Sequence, residues 1–133
     1  MALDDLLKRM SDGTNLRSEF QVIGNVQAVP AEWEEPLLRI AQESITNTAK
    51  HANAMNLKVT LSTSSNEVQL QLVDDGGGFD VQAGNDGFGL IGMRERVDRL
   101  GGRFIIRSKP GEGTEVLVIL SNPPVSQLGN GNE

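Results

Sequence analysis

From Glu32 to Asn53 the apolar residues Trp33, Leu37, Ile40, Ala41, Ile45 and Ala49 recur at intervals of three and four, with Pro36 in the first turn. This spacing predicts one long amphipathic helix. A different period follows. Leu57, Val59 and Leu61 alternate with polar residues, and so do Val68, Leu70 and Leu72, between Glu67 and Asp74. Two strands joined by a turn at Ser64-Ser65-Asn66 are predicted, hence a hairpin. A second helix is expected from Leu90 to Leu100, ended by Gly101-Gly102 as its C-terminal cap. Two more strands, Arg103 to Ser108 and Thr114 to Leu120, are joined by Lys109-Pro110-Gly111-Glu112-Gly113. The last is apolar at every position from Val116 to Leu120, which predicts a strand covered on both faces. Near the start, Leu3 to Met10 reads as a short amphipathic stretch and Phe20 to Ile23 as a short strand closed by Gly24-Asn25. Phe79 to Gly87 shows no apolar periodicity and is expected to be a mobile loop. Together these elements predict an α/β (α+β) two-layer sandwich: a mixed, mostly antiparallel sheet of about five strands, covered on one face by about three helices.

A chain of 133 residues suits one domain, read here as residues 1–122, and the Ser/Gln/Gly/Asn run after Pro123-Pro124 (residues 123–133) is expected to be a disordered tail. The absence of cysteine excludes disulfides and thiolate metal sites and points to a reducing, cytoplasmic compartment. No window has the apolar length of a membrane span, and Met1 to Asp12 lacks the apolar core of a signal peptide. No membrane contact is expected. A net charge of −6 and an aromatic content of 4% argue against nucleic-acid binding. The charge is uneven, however: Arg94, Arg96, Arg99, Arg103, Arg107 and Lys109 face only Glu95 and Asp98 within that span, which predicts a local anion site.

Three stretches carry candidate chemistry. The first is Asp74-Asp75-Gly76-Gly77-Gly78, directly after a strand. It is either a ligand site, with a carboxylate aimed at a ligand that the glycine backbone can approach, or a glycine-rich hairpin turn. The second is the polar stripe of the long helix, where Glu43, Asn47 and Lys50 share one face, with His51 beside them. A carboxylate and an amide oxygen suit magnesium, and an ammonium suits phosphate oxygens. The alternative is a solvated face, although Ser44, Thr46, Asn47 and Thr48 leave this one poor in charge. The third is Gly87-Phe88-Gly89-Leu90-Ile91-Gly92, a literal match to the dinucleotide fingerprint. It lacks the strand before it and the acid about twenty residues after it that the fingerprint needs. A glycine loop running into a helix N-terminus remains, which is a phosphate cradle in any fold.

In this order the stretches resemble the ATP-binding catalytic domain of bacterial sensor histidine kinases, within the Bergerat-fold superfamily of gyrase, MutL and heat-shock chaperone ATPases. The resemblance covers roughly Leu16 to Ser121. Arg39-Ile40-Ala41-Gln42-Glu43-Ser44-Ile45-Thr46-Asn47-Thr48-Ala49-Lys50-His51-Ala52 is similar to the N box of the nitrate-sensor-like subgroup. Asp74 to Asp80 is similar to the first glycine box, Gly87 to Arg96 to the second, and Gly111-Glu112-Gly113-Thr114 to the last. The resemblance implies ATP and magnesium as the bound groups. It implies that Asp74 accepts a hydrogen bond from the adenine amino group, helped by a water near Thr114. It further implies that Asn47 ligates magnesium, with Glu43 either orienting the transferred phosphoryl group, alongside the metal, or moving a proton. Lys50 and His51 would lie near the phosphates. Gly76 and Gly78 would line the nucleotide site, and Gly87, Gly89, Leu90 and Gly92 the phosphate loop, with Phe79 to Phe88 as the lid.

By the same resemblance the activity is transfer of the γ-phosphoryl group of Mg-ATP to a histidine on a separate dimerisation domain, with a response regulator downstream. The only histidine is His51, inside the N box. An excised catalytic domain or a stand-alone module, monomeric in isolation, is therefore expected. The alternatives are a serine kinase of the anti-sigma-factor type, against which the Arg39 to Ala52 run speaks, and a non-catalytic nucleotide sensor, against which Glu43 and Asn47 speak.

Overall fold

A computed structural model describes residues 9, 17–25, 29–51, 56–78 and 89–121, and only the backbone at 50 and 51. The order of elements is β1 (Arg17–Ile23), α1 (Ala31–His51), β2 (Asn56–Thr63), β3 (Glu67–Asp74), α2 (Leu90–Arg99), β4 (Arg103–Ser108) and β5 (Thr114–Ser121). The strands form one sheet in the order β1-β2-β3-β5-β4. β1 runs parallel to β2, and every other pair is antiparallel, so the sheet is mixed and mostly antiparallel as the alternation predicted. The described residues contain two of the expected helices. The Leu3 to Met10 stretch falls outside them save Arg9, as do the Phe79 to Phe88 lid and the 123–133 tail.

The inner face of the sheet is built by strict alternation. Leu57, Val59 and Leu61 of β2, Val68, Leu70 and Leu72 of β3, Phe104 of β4, and Val116, Val118 and Leu120 of β5 are buried beneath the helices. Against them α1 packs Trp33, Leu37, Ile40, Ala41 and Ile45, and α2 packs Met93 and Val97. The α1 stripe then departs from its sequence pattern. Ala49 is exposed, and the inward positions of the last two turns belong to Ser44 and Thr48, both buried. Pro36 lies in the second turn of α1, because the helix begins at Ala31; it removes one bond of the helical ladder at a turn where Glu32 is exposed.

β5 is not covered on both faces. Val116, Val118 and Leu120 are buried, whereas Leu117 and Ile119 on the outer face are half-buried. Their neighbours in the sheet account for the partial shelter: Ile105 and Gln71 flank Leu117, and Arg103 and Gln69 flank Ile119. β1 begins three residues before the expected Phe20, because edge pairing from Arg17↔Asn56 to Ile23↔Ser62 extends it where only Ser18 and Phe20 lose solvent.

Helix α2 ends as its glycines predict. Gly102 N–H donates to Val97 O (3.0 Å) and Gly101 N–H to Asp98 O (2.9 Å), a Schellman pair with Gly101 left-handed at φ 69°. A Cβ on Gly102 would lie 2.5 Å from Leu120 Cδ2, so this glycine also lets the turn press against β5. No helix among the described residues is long and apolar enough to cross a membrane.

The fully buried Leu70 sits at the centre of β3 and the exposed Glu34 on the outer side of α1. In urea unfolding Leu70→Ala should cost about 2–5 kcal/mol and Glu34→Ala less than about 0.5 kcal/mol.

Candidate nucleotide site

Asp74 is the last residue of β3 and continues its inward-facing row, so a carboxylate stands where Val68, Leu70 and Leu72 would call for another apolar side chain. It is 8% exposed. A buried carboxylate has to be hydrogen-bonded, and two donors reach it. Gly76 N–H donates to Oδ1 at 2.8 Å, closing an Asx turn, and Thr48 Oγ1 donates to Oδ2 at 3.0 Å from the last turns of α1. The same Thr48 hydroxyl lies 3.0 Å from Ser44 O. It has one proton, and the carboxylate is the stronger acceptor. The neighbouring Asp75 does a different job. Its carboxylate takes the Asn56 N–H (2.9 Å) and Asn56 Nδ2 (2.7 Å), tying the end of β3 to the start of β2 on the exposed side.

The glycines around Asp74 are demanded by backbone contact. Gly78 (φ 65°) would place a Cβ 2.1 Å from Lys109 O, and Gly113 (φ 75°) would place one 2.4 Å from Asp74 O. The Gly111 N–H donates to Gly77 O. The first glycine run and the β4–β5 turn are thus locked together at the end of the sheet. Thr114 pairs directly with Asp74 across β3 and β5, and its hydroxyl lies 2.8 Å from that of Ser108. An open cavity of about 580 Å³ abuts this end of the sheet, lined among others by Asp74, Ser108, Lys109, Gly113 and Thr114.

The start of α2 lies against α1. Its N-cap Gly89 is left-handed at φ 68°, and a Cβ there would lie 3.0 Å from Glu43 Oε2, so the start of α2 abuts the polar stripe of α1. Ser44 Oγ contacts Met93 Sδ at 3.6 Å, a weak bond that fixes the same two helices one turn further in. Glu43 is exposed and Asn47, one turn on, half-buried, so both carry oxygen donors at the rim. Magnesium keeps several waters and takes few protein oxygens, and this pair fits such a partial ligand set. Among the described residues no group of three or more His, Cys, Asp or Glu could hold a metal ion.

The structure therefore brings together Asp74, Gly76, Gly78 and Thr114 at the end of the sheet, and Glu43 with Gly89 where the helices meet, with Asn47 one turn along α1 from Glu43. Leu90 has its side chain half-buried against the core, which makes it an anchor for the helix start. Gly92 is exposed with open space where a Cβ would go. Lys50 and His51 lie at the end of α1, their side chains outside the described residues, as is Gly87. The expected single anion site is dispersed. Arg94 stacks on Phe104 (5.1 Å to the ring centroid), Arg107 pairs with Glu115 (3.7 Å), and Arg96 and Arg99 line a groove with Arg39 elsewhere. Arg94 and Arg96, two residues apart on α2, leave the helix in different directions, and Arg107 lies on β4. Two residues were missed as individuals, Ser108 and Thr48. Counting the β4–β5 hairpin register would have placed the first opposite Thr114.

With this geometry established, comparison with known proteins is decisive. Residues 33–124 match the family described as histidine kinase-, DNA gyrase B-, and HSP90-like ATPase. The chain belongs to this family. It is 36% identical over 128 residues to the signal transduction histidine-protein kinase/phosphatase DegS of Brevibacillus brevis, covering 89% of this chain and 33% of that protein. It is 38% identical over 101 residues to the sensor protein VraS of Staphylococcus haemolyticus, covering 74% and 29%. The chain thus spans about a third of the length of these relatives. The same fold occurs in the blue-light activated histidine kinase of Erythrobacter litoralis (TM-score 0.72, 22% identity, 96% of this chain and 42% of that one). It occurs also in the mycobacterial sensor histidine kinase MprB (TM-score 0.66, 18% identity, 90% and 91%). The resemblance to the ATP-binding catalytic domain of sensor histidine kinases, read from four sequence boxes, is borne out at the level of the family.

The glycine contacts predict opposite effects of one substitution at two sites. Gly113→Ala adds a clash to a left-handed residue and should cost about 2–4 kcal/mol in denaturant unfolding. Gly92→Ala, in open space on a helix, should raise stability by up to about 1 kcal/mol.

Proposed function

We propose that the chain is the ATP-binding catalytic domain of a two-component sensor histidine kinase. It binds Mg-ATP in the cleft between α1, the end of β3, the β4–β5 turn and the start of α2, and transfers the γ-phosphoryl group to a histidine of a dimerisation domain. A response regulator then receives the group. The observation that carries this reading is the buried Asp74 carboxylate, held by two donors at the end of an otherwise apolar strand face and opening onto the glycine turns. A carboxylate so held offers only acceptors, which suits the exocyclic amino group of adenine.

Residue roles follow from position. Asp74 fixes the base, and Gly76, Gly78 and Gly113 allow the backbone to come close. Asn47 and Glu43 hold the metal at the rim of α1, and magnesium supplies neutralisation of phosphate charge there. The N-terminus of α2 at Gly89 turns backbone N–H groups and the positive end of its dipole to the phosphates; Gly87, Lys50 and His51 are the further phosphate neighbours that the sequence resemblance implies. The acceptor imidazole nitrogen forms the new N–P bond as the β–γ bridging P–O bond breaks and ADP leaves. Such a reaction needs positioning and charge neutralisation above all. Glu43 contacts the transferring group or takes the proton that the imidazole releases.

Asp74→Asn puts a donor where an acceptor is needed, and in calorimetric titration with Mg-ADP it should weaken binding roughly 10- to 150-fold, the worth of a charged hydrogen bond. Unchanged affinity would contradict the adenine assignment. With a histidine-bearing dimerisation domain added in trans, labelled γ-phosphate should appear there as an acid-labile, base-stable adduct. Asn47→Ala should lose this transfer, and Glu43→Gln should keep nucleotide affinity while slowing transfer about 10²–10⁴-fold if it moves a proton. Labelling of serine instead would favour the anti-sigma-type kinase. Nucleotide binding with no labelled acceptor would favour the sensor.

A further inference from the structure

We propose that Thr48 is the positioning residue that sets the base selectivity of this site; the proposal rests on the reading of Asp74 as the adenine acceptor. A carboxylate group rotates about χ2 in a broad, roughly two-fold well, so one hydrogen bond does not fix its plane. Asp74 has two, and they come from different elements. Gly76 N–H holds Oδ1 from the turn that follows β3, while Thr48 holds Oδ2 from α1. Only the second ties the carboxylate to the opposite layer of the domain.

The geometry of Thr48 suits it to that task. A helical threonine divides between two χ1 rotamers, one of which brings Oγ1 to the carbonyl four residues back. Thr48 occupies that rotamer, 3.0 Å from Ser44 O, and from it Oγ1 also lies 3.0 Å from Asp74 Oδ2. The side chain is 4% exposed and stands in the inward row after Ala41, Ser44 and Ile45, so it cannot swing away into solvent. With a donor on each oxygen, the remaining lone pairs of Asp74 point in fixed directions and accept only. An amino group at position 6 of a purine is matched. A keto oxygen at the same position places acceptor against acceptor. The precision of that discrimination depends on the second donor.

The test compares Mg-ADP with Mg-IDP, which differ at that position, by calorimetric titration of the 133-residue chain. Thr48→Val keeps shape and removes the donor, and ADP affinity should fall about tenfold, the worth of one hydrogen bond to a charged group at the low end of its range. IDP makes no bond to Asp74 and its affinity should stay within about twofold, so the ADP-over-IDP ratio falls by nearly the full factor. Thr48→Ser restores the hydroxyl and should recover the ratio to within about threefold of the unmodified chain. Should Thr48→Val not fold, as judged by thermal melting, Thr48→Ala carries the same comparison against Thr48→Ser. Equal losses for ADP and IDP, or an unchanged ratio, would overturn the proposal by reducing Thr48 to a packing residue. Asp74→Asn separates the two levels: if it abolishes the ADP preference while Thr48→Val does not, the positioning role fails and the adenine assignment stands. If Asp74→Asn leaves the preference intact, the adenine assignment itself fails.

Discussion

A single buried carboxylate in an otherwise apolar row organises this end of the molecule. An inward position at the end of β3 could have continued the core, and placing Asp74 there imposes a requirement for donors within reach. The requirement is met by bending the chain back at Gly76 and by placing Thr48 on the inward row of α1, where its stripe should be apolar. Ser44 and Thr48 are the buried polar positions of that helix, and Thr48 reaches Asp74 at the end of β3.

The same constraint explains the glycines. Holding a carboxylate at a strand end while leaving room beside it requires three backbone segments to converge within contact distance. Gly78 and Gly113 permit the convergence, each left-handed and each facing a carbonyl that a side chain would strike. Gly89 plays the corresponding part on the helix side, where Glu43 Oε2 occupies the space a Cβ would need. Gly92 and Gly111 meet no such obstacle, so close packing is not what keeps them glycine. Ligand approach is a separate reason, and it would act on Gly92 only when nucleotide is present.

Much of this was legible in the sequence. The strands and helices follow from periods of two and near four because one face of each is buried, and β4 runs over the predicted residues. The Asp74 to Gly78 run could be picked out as a site or a turn, and the structure shows the turn: an Asx turn in which Gly76 N–H holds the Asp74 carboxylate. What sequence did not show was where each cation ends up, since Arg94 and Arg96 share α2 and Arg107 lies on β4, yet the three have separate surroundings. Nor could it single out Thr48 among its polar neighbours. Ala49 continued the apolar period better, and only the position of α1 over the end of β3 decides which of the two faces inward. The uniform apolar run of β5 misled for a related reason: lateral shelter by neighbours within one sheet face can keep Leu117 and Ile119 half-buried without a second layer above them.

The central claim is that the buried carboxylate of Asp74 receives the base of the nucleotide. A crystal structure of the chain soaked or grown with Mg-ADP examines it without any mutation. The account predicts the exocyclic amino nitrogen at hydrogen-bonding distance from an Asp74 carboxylate oxygen, about 2.7–3.2 Å, with the Thr48 and Gly76 bonds retained. A base seated elsewhere, with Asp74 still facing only Thr48 and Gly76, would contradict it.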